Sequence, residues 1–455
     1  MKKIFILLIF CLFYLPLACC AESNKIIEVI NAGFSIQETP LLLNDGKILI
    51  YGTGFDISGP KKPNILFNPG TKEFKLTTAF DETMSLNSKG VPAVVLDNGK
   101  VLFIAPRHFY MTFSLSKKVY KLIPNDVRKS MHKKSITEQN KILLSYLKKD
   151  ATLYKEYQQE FKSYEKSIYA QLFDPKTEKI ELTGKLNIRR SGFIAVKARN
   201  GKIYIFGGNK KDDEGRSKLA NEIEMYNPDS GKFKIVAQPS EFFEIHKAIP
   251  LDDGRIFLAN TNINGYEKLT NYTFFNPRNN SISEWKTHNE TFYEAIRLKD
   301  DRILFFTKRN DGITPKNLKY KEDNEVITKN RYNGYVLFVL IYDPKTDKFS
   351  DAGNLLIPRV YDPKPAIVLL NDGNVLVAGG IRYPKLYDFV PVYEIEIYNP
   401  NTQKSAIVGN LPFKLQNSIN GAKLDDGRVL LFGSSEMYIE NYSKAILFNP
   451  NEIKK

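Results

Sequence analysis

Along most of the chain, short apolar runs alternate with two kinds of polar interruption, and the two kinds take turns without exception. The first kind is Asp-Gly or a near copy: Asn44-Asp45-Gly46, Asp97-Asn98-Gly99, Arg199-Asn200-Gly201, Asp252-Asp253-Gly254, Lys299-Asp300-Asp301, Asn371-Asp372-Gly373 and Asp425-Asp426-Gly427. The second is Asn-Pro or Asp-Pro, at Asn68-Pro69, Asp174-Pro175, Asn227-Pro228, Asn276-Pro277, Asp343-Pro344, Asn399-Pro400 and Asn449-Pro450. Short apolar runs bounded by such turns read as strands. Self-similarity at a period of roughly 40 to 50 residues marks a repeat array, and two hairpin turns per unit make each unit a four-stranded sheet. The pattern predicts an all-β fold, a seven-bladed β-propeller.

Turn chemistry supports the same reading. Asn-Gly and Asp-Gly supply the positive φ of a type I′ turn, so the first series predicts tight two-residue hairpins. Asn or Asp before Pro suits the opening of a type I turn, because the side chain accepts a local hydrogen bond and Pro fixes φ. Five residues beyond the Pro stands an apolar anchor in five units: Phe74, Ile180, Phe233, Ile282 and Phe349. Ser405 and Lys455 break the rule, and Lys455 leaves the seventh unit no room for a fourth strand. Residues 25–30 (KIIEVI) have strand composition, and Ile27 precedes Gly46 by the 19 residues that separate Ile282 from Asp301. They are predicted to be the outer strand of blade seven, closing the ring and removing its free edge.

Gly207-Gly208 and Gly379-Gly380 each follow an apolar strand and precede another that ends in Tyr-Asn-Pro, at Tyr226 and Tyr398. This order resembles the Kelch repeat, over nearly all of the chain beyond its leader. Elsewhere the Gly pair is reduced to Gly52-Thr53-Gly54, Ala105-Pro106, Ala259-Asn260, Phe306-Thr307 and Gly433-Ser434, so the copies have diverged. Kelch propellers serve as enzymes and as binding platforms; the resemblance implies a fold and leaves activity open.

A propeller absorbs the whole of 455 residues as one domain, residues 25–455. Ahead of it, Lys2 and Lys3, the apolar run Ile4 to Leu17 and a set of small residues form a secretory signal over residues 1–20, too short to span a bilayer. Leu17-Ala18-Cys19-Cys20 resembles a bacterial lipobox with Cys20 as the lipid-bearing residue; ordinary cleavage after Ala21 is the alternative. The expected location is therefore the cell envelope, with the chain exported and lipid-anchored. All three cysteines (Cys11, Cys19, Cys20) lie in this leader, so the body has no disulfide, thiolate metal site or cysteine nucleophile. Net charge is +15, or +13 once Lys2 and Lys3 are set aside. Such an excess favours acidic partners, although dispersed lysines also keep a protein soluble.

Both turn series open on one face of the disc, so every long insertion falls on the other, where the second and third strands of a blade are joined. Residues 106–169 intervene there in blade two and residues 307–334 in blade five, as two expected walls of a cleft. The first insertion reads as helical: Ser135 and Glu138 make a capping box before Ile136 to Leu147, and Asp150 is an N-cap for a helix whose stripe is Leu153, Tyr157, Phe161, Tyr164 and Ile168. Residues 117–166 carry 13 basic against 6 acidic side chains, a composition that suits an anionic membrane surface or an ordinary solvated face.

Galactose oxidase, a Kelch enzyme, holds copper with two Tyr, two His and a Cys-Tyr crosslink; a body without cysteine and with only His108, His132, His246 and His288 does not match that set. A bacterial sugar epimerase of the same family implies an acid/base pair, for which Glu294, Asp362 and Asp388 are candidates, with Arg190, Arg359 and Arg382 as carboxylate clamps. There is no P-loop, G-x-G-x-x-G unit, G-x-S-x-G elbow or H-E-x-x-H pair. Asp212-Asp213-Glu214-Gly215 lacks the ligand alternation of a calcium loop. Arg382, Tyr383, Tyr387, Phe389 and Tyr393 suit a platform for a sugar ring or peptide, or a local mini-core. The expected function is non-enzymatic binding of a protein or anionic glycan by a monomer through Arg107, His108, Arg190, His246, Arg359, Arg382 and Tyr383. No metal, cofactor or nucleic-acid partner is expected. The alternatives are an enzyme acting on an acidic sugar and association with a membrane surface.

Overall fold

The computed structural model describes residues 26–453 apart from 33–38, 52–63, 78–91, 105–122, 132–135, 153, 156–157, 159–168, 212–215, 243, 261–268, 309–314, 321–334, 361–363, 386–387, 414–418 and 434–443. Seven antiparallel sheets stand in a ring, making an all-β seven-bladed propeller. Blade one runs from axis to rim as Thr39–Leu42, Ile48–Tyr51, Ile65–Asn68 and Glu73–Leu76. Blades two to six follow over residues 93–185, 194–237, 247–288, 291–360 and 366–410. The first strands of neighbouring blades approach one another around the axis.

A sheet packed on both faces has no solvated side, so its middle strands lose polar alternation. Ile48–Tyr51, Ile203–Phe206, Ile256–Ala259, Val375–Ala378 and Val429–Phe432 are buried at every position. Their side chains sort into seven apolar clusters, one between each pair of adjacent blades, including blade seven against blade one. The last of these joins Ile30, Ile48, Ile50 and Phe67 to Leu424, Leu430, Phe432 and Leu447. Blade seven contains Asn420–Lys423, Val429–Phe432 and Lys444–Phe448, and its rim strand is Ile27–Asn31, paired antiparallel with Ile27 opposite Phe448 and Asn31 opposite Lys444.

The Asp-Gly hairpins differ from the two-residue type I′ turns predicted above. Only the third loop residue has positive φ, and each loop has three residues: Gly46 N donates to Leu43 O, then Leu43 N to Lys47 O. This is a type I turn followed by a left-handed residue, favoured because the middle side chain accepts from the backbone two residues on. All seven do so, from Asp45 Oδ1 with Lys47 N at 3.2 Å to Asp426 Oδ1 with Arg428 N at 2.9 Å. In blade five, Asp301 takes the glycine position at φ 77°.

These turns also interlock around the axis. Asn44 Nδ2 donates to Leu96 O, Lys197 pairs with Asp97 at 2.8 Å, and Arg199 donates to Leu251 O and pairs with Asp252. Arg297 then bridges Asp252 and Asp301, and Lys299 donates to Asn371 O. Gly427 closes on Asn371, and Gly46 on Asp425.

In the blade-two insertion, helices α1 (Asn125–Met131) and α2 (Ile136–Leu147) share a mini-core of Ile123, Leu143 and Leu147, with Val127, Tyr146 and Tyr154 against it. The predicted stripe from Leu153 to Ile168 and the capping residue Ser135 lie outside the described residues. Asp150 Oδ1 accepts from Thr152 N at 2.9 Å, opening the next turn. Because Ile30 fills the junction of blades seven and one, Ile30→Ala should cost about 2–4 kcal/mol, read as a lower midpoint in urea denaturation.

Candidate functional site: the loop face

Among the described residues, four additions to the sheets join a second strand to a third: the insertions of blades two and five, and two short hairpins. The hairpins are Asn209–Lys211 with Ser217–Leu219 in blade three, and Ile381–Lys385 with Asp388–Pro391 in blade six. Connections of that kind all leave from the face opposite the turns, and they decorate it alone.

Arg190 and Arg359, expected as surface clamps, lie instead at the roots of the two hairpins with no exposed surface. Arg190 Nη1 donates to Gly207 O at 3.2 Å and to Glu222 O at 2.7 Å, while Nη2 pairs with Glu224 at 3.1 Å. Arg359 repeats this in blade six, with Nε to Gly379 O at 3.0 Å, Nη2 to Glu394 O at 3.2 Å and Nη1 to Glu396 at 2.6 Å. Each glutamate also accepts from the incoming chain, Glu224 from Asn187 N and Ile188 N, Glu396 from Leu356 N. A guanidinium spent on internal acceptors cannot clamp a ligand carboxylate. Burial pushes Arg190 below its ordinary value against the pull of Glu224 and Glu222.

Arg382 lies on the blade-six hairpin with its guanidinium 3.9 Å from the centre of the Tyr320 ring. Tyr320 belongs to the second insertion, whose residues 315–320 fold onto blade five's own rim strand at the border with blade six rather than rising as a separate wall: Lys319 N donates to Leu356 O at 2.8 Å, and Leu318 packs on the core shared by the two blades. Both Lys319, at 2.5 Å, and Tyr320 bind Glu394. Burial would raise the Glu394 carboxyl, but these two partners outweigh it and hold it below the usual carboxylate range.

Toward the axis, Lys247 pairs with Glu294, whose side chain is 15 % exposed. Burial opposes ionisation of Glu294, and the Lys247 and Lys364 charges overcome it and lower its pKa. His246 Nε2 lies 3.4 Å from Glu244, on the approach to blade four. Arg107, His108, Asp362 and residues 212–215, with the side chain of Tyr383, lie outside the described residues. Arg190, Arg359 and Arg382 therefore do not meet in one concavity; two are internal struts and the third is stacked under a tyrosine. Tyr320 and Lys319 went unnoticed in the sequence because nothing local marks which insertion residues fold back on a neighbour.

No family model matches the chain, and no curated protein matches it. Among solved structures it is similar to a fungal alcohol oxidase of the AA5 family described in complex with copper, with 11 % identity, TM-score 0.52, and coverage of 93 % of this chain and 76 % of that one. A second similar structure is the extracellular domain of a hybrid two-component system from B. thetaiotaomicron, at 9 % identity and TM-score 0.48, covering 93 % of this chain and 39 % of that one. At such identity the first likeness shows the fold alone. The donor set does not fit copper: among the described residues no three His, Cys, Asp or Glu gather to hold a metal. The His288 ring packs at a tilt against Phe349, with centroids 4.3 Å apart, where burial lowers its pKa.

Removing one partner of a buried ion pair strands the other. Arg359→Ala should therefore cost about 3–5 kcal/mol in chemical denaturation, and Arg359→Met with Glu396→Leu should recover most of it. The Glu394 contacts carry a pH signature. Its folded pKa is depressed, so the stabilisation is complete above the ordinary value of about 4.3 and is lost as pH falls through the lower folded value. The protection factor of the Lys319 amide, its exchange rate divided into the intrinsic rate at each pH, should fall in that acidic window and hold steady above it.

Proposed function

We propose that this chain is an exported propeller of the Kelch type that acts as a binding module, holding a protein or an anionic glycan on its loop face. The supporting observation is that, among the described residues, the insertions of blades two and five and the two hairpins all lie on that face, while the turns of the opposite face are short and interlocked. Loops on a rigid frame are where recognition residues are carried. The net charge of +15 and the 13 basic residues of segment 117–166 favour an acidic ligand. The same reading makes the chain a monomer of the cell envelope, anchored by lipid at Cys20. An acidic-sugar enzyme has less support, because its proposed clamps Arg190 and Arg359 are consumed internally.

The test is a screen of the mature protein on uronic-acid and sulfated glycans, alongside affinity capture of envelope proteins. Retention should weaken as salt shortens the screening length, and should fall when hairpin 381–391 is replaced by a short turn. Lys345→Glu on the opposite face should leave it unchanged. Retention indifferent to the loop-face change would remove this reading.

A further inference from the structure

The direction of the closing strand fixes which face of the disc meets an N-terminal anchor. Strand Lys444–Phe448 runs from the loop face to the Asn449-Pro450 turn, and Ile27–Asn31 is antiparallel to it. Ile27 therefore lies at the turn end of the blade and Asn31 at the loop end. Asn449 N donates to Ile26 O at 2.8 Å, so the chain enters the fold beside that turn.

Cys20 precedes Ile26 by six residues, which reach at most about 20 Å when extended. The closing strand itself is about 17 Å long. A tether folded back along the rim would be spent in climbing to the level of the loop face. It would have nothing left to clear the hairpins and the helical insertion that rise from it.

We propose that the chain is held with its turn face toward the anchoring bilayer and its loop face, with the basic insertion of blade two, turned away from it. This rests on the anchoring at Cys20 proposed above. It removes the anchoring membrane as the surface that residues 117–166 engage, and leaves the loop face open to ligands beyond it.

The experiment uses the mature chain beginning at Cys20, whose thiol is the only one left, coupled to a maleimide lipid in vesicles containing anionic lipid. Lysine acetylation rates, read by mass spectrometry, are compared between coupled and free protein. Lys345 and Lys404 beside the turns should slow several-fold on coupling, while Lys218 on the blade-three hairpin and Lys148 and Lys149 of the insertion keep their rates. Slowing at Lys148, Lys149 or Lys218 equal to or greater than that at Lys345 would overturn the orientation, and so would no slowing anywhere. Chemical coupling bypasses cellular lipidation, so this arm fails only if the geometry is wrong. Mass spectrometry of the native N-terminus tests the anchor separately: a diacylglyceryl-modified Cys20 supports it, and an unmodified start at Glu22 overturns the proposal in the cell.

Discussion

The fold depends on one constraint: each of its sheets is apolar on both faces and cannot end. A sheet such as Ile203–Phe206 and its neighbours needs cover on two sides, and an open row of such sheets would leave its two outermost faces bare. A ring meets the demand if its last member is complete. In blade seven that completion comes from the far end of the chain, where Ile27–Asn31 pairs beside Ala445, Ile446, Leu447 and Phe448, all buried. Without that rim strand, the backbone donors and acceptors of Lys444–Phe448 would line an open edge.

Closure divides the molecule into two unlike faces. On one, turns of nearly identical geometry sit shoulder to shoulder and exchange hydrogen bonds and ion pairs from blade to blade, with Asp252 held between Arg199 and Arg297. An insertion there would have to break its neighbours' contacts. On the other face, the described links from second to third strand differ from blade to blade, and it is there that residues 106–169 and 307–334 have been accommodated.

Much of this architecture was legible because turn residues are specified locally. Asn or Asp before Pro accepts from the amide two residues on in all seven units, from Asn68 to Asn449, and the rings of the anchors Phe74, Phe233 and Phe349 pack at a tilt against Phe67, Tyr226 and Tyr342. The hairpin type was misread, since Asp-Gly permits both a two-residue and a three-residue loop and the side-chain cap of the middle residue decides between them. The site was less legible. Arg190 and Arg359 looked like surface groups because the carboxylates that bury them lie more than thirty residues away along the chain. A signal was present nonetheless: Glu222-Ile223-Glu224 and Glu394-Ile395-Glu396 both place a charge at the centre of an apolar strand, and a buried charge demands a partner.

The units that keep the Gly pair are the units that keep the Arg–Glu strut, and these two also carry the short hairpins. The coincidence has a mechanical reason. The arginine donates to the carbonyl of the first glycine, and the second glycine's carbonyl receives the chain as it returns, from Ala220 N in blade three and Val392 N in blade six. A side chain at Gly208 would strike Ser191 O at 2.6 Å, and one at Gly379 would run into Ile419, so the incoming strand can pass only where there is none. A buried ion pair adds little net stability, but it has one satisfactory arrangement and so fixes the hairpin root against tilting. Blades three and six stand three steps apart in a ring of seven. Their hairpins therefore rise on nearly opposite sides of the axis from rooted bases, and the surface between them keeps its spacing whatever their tips contact.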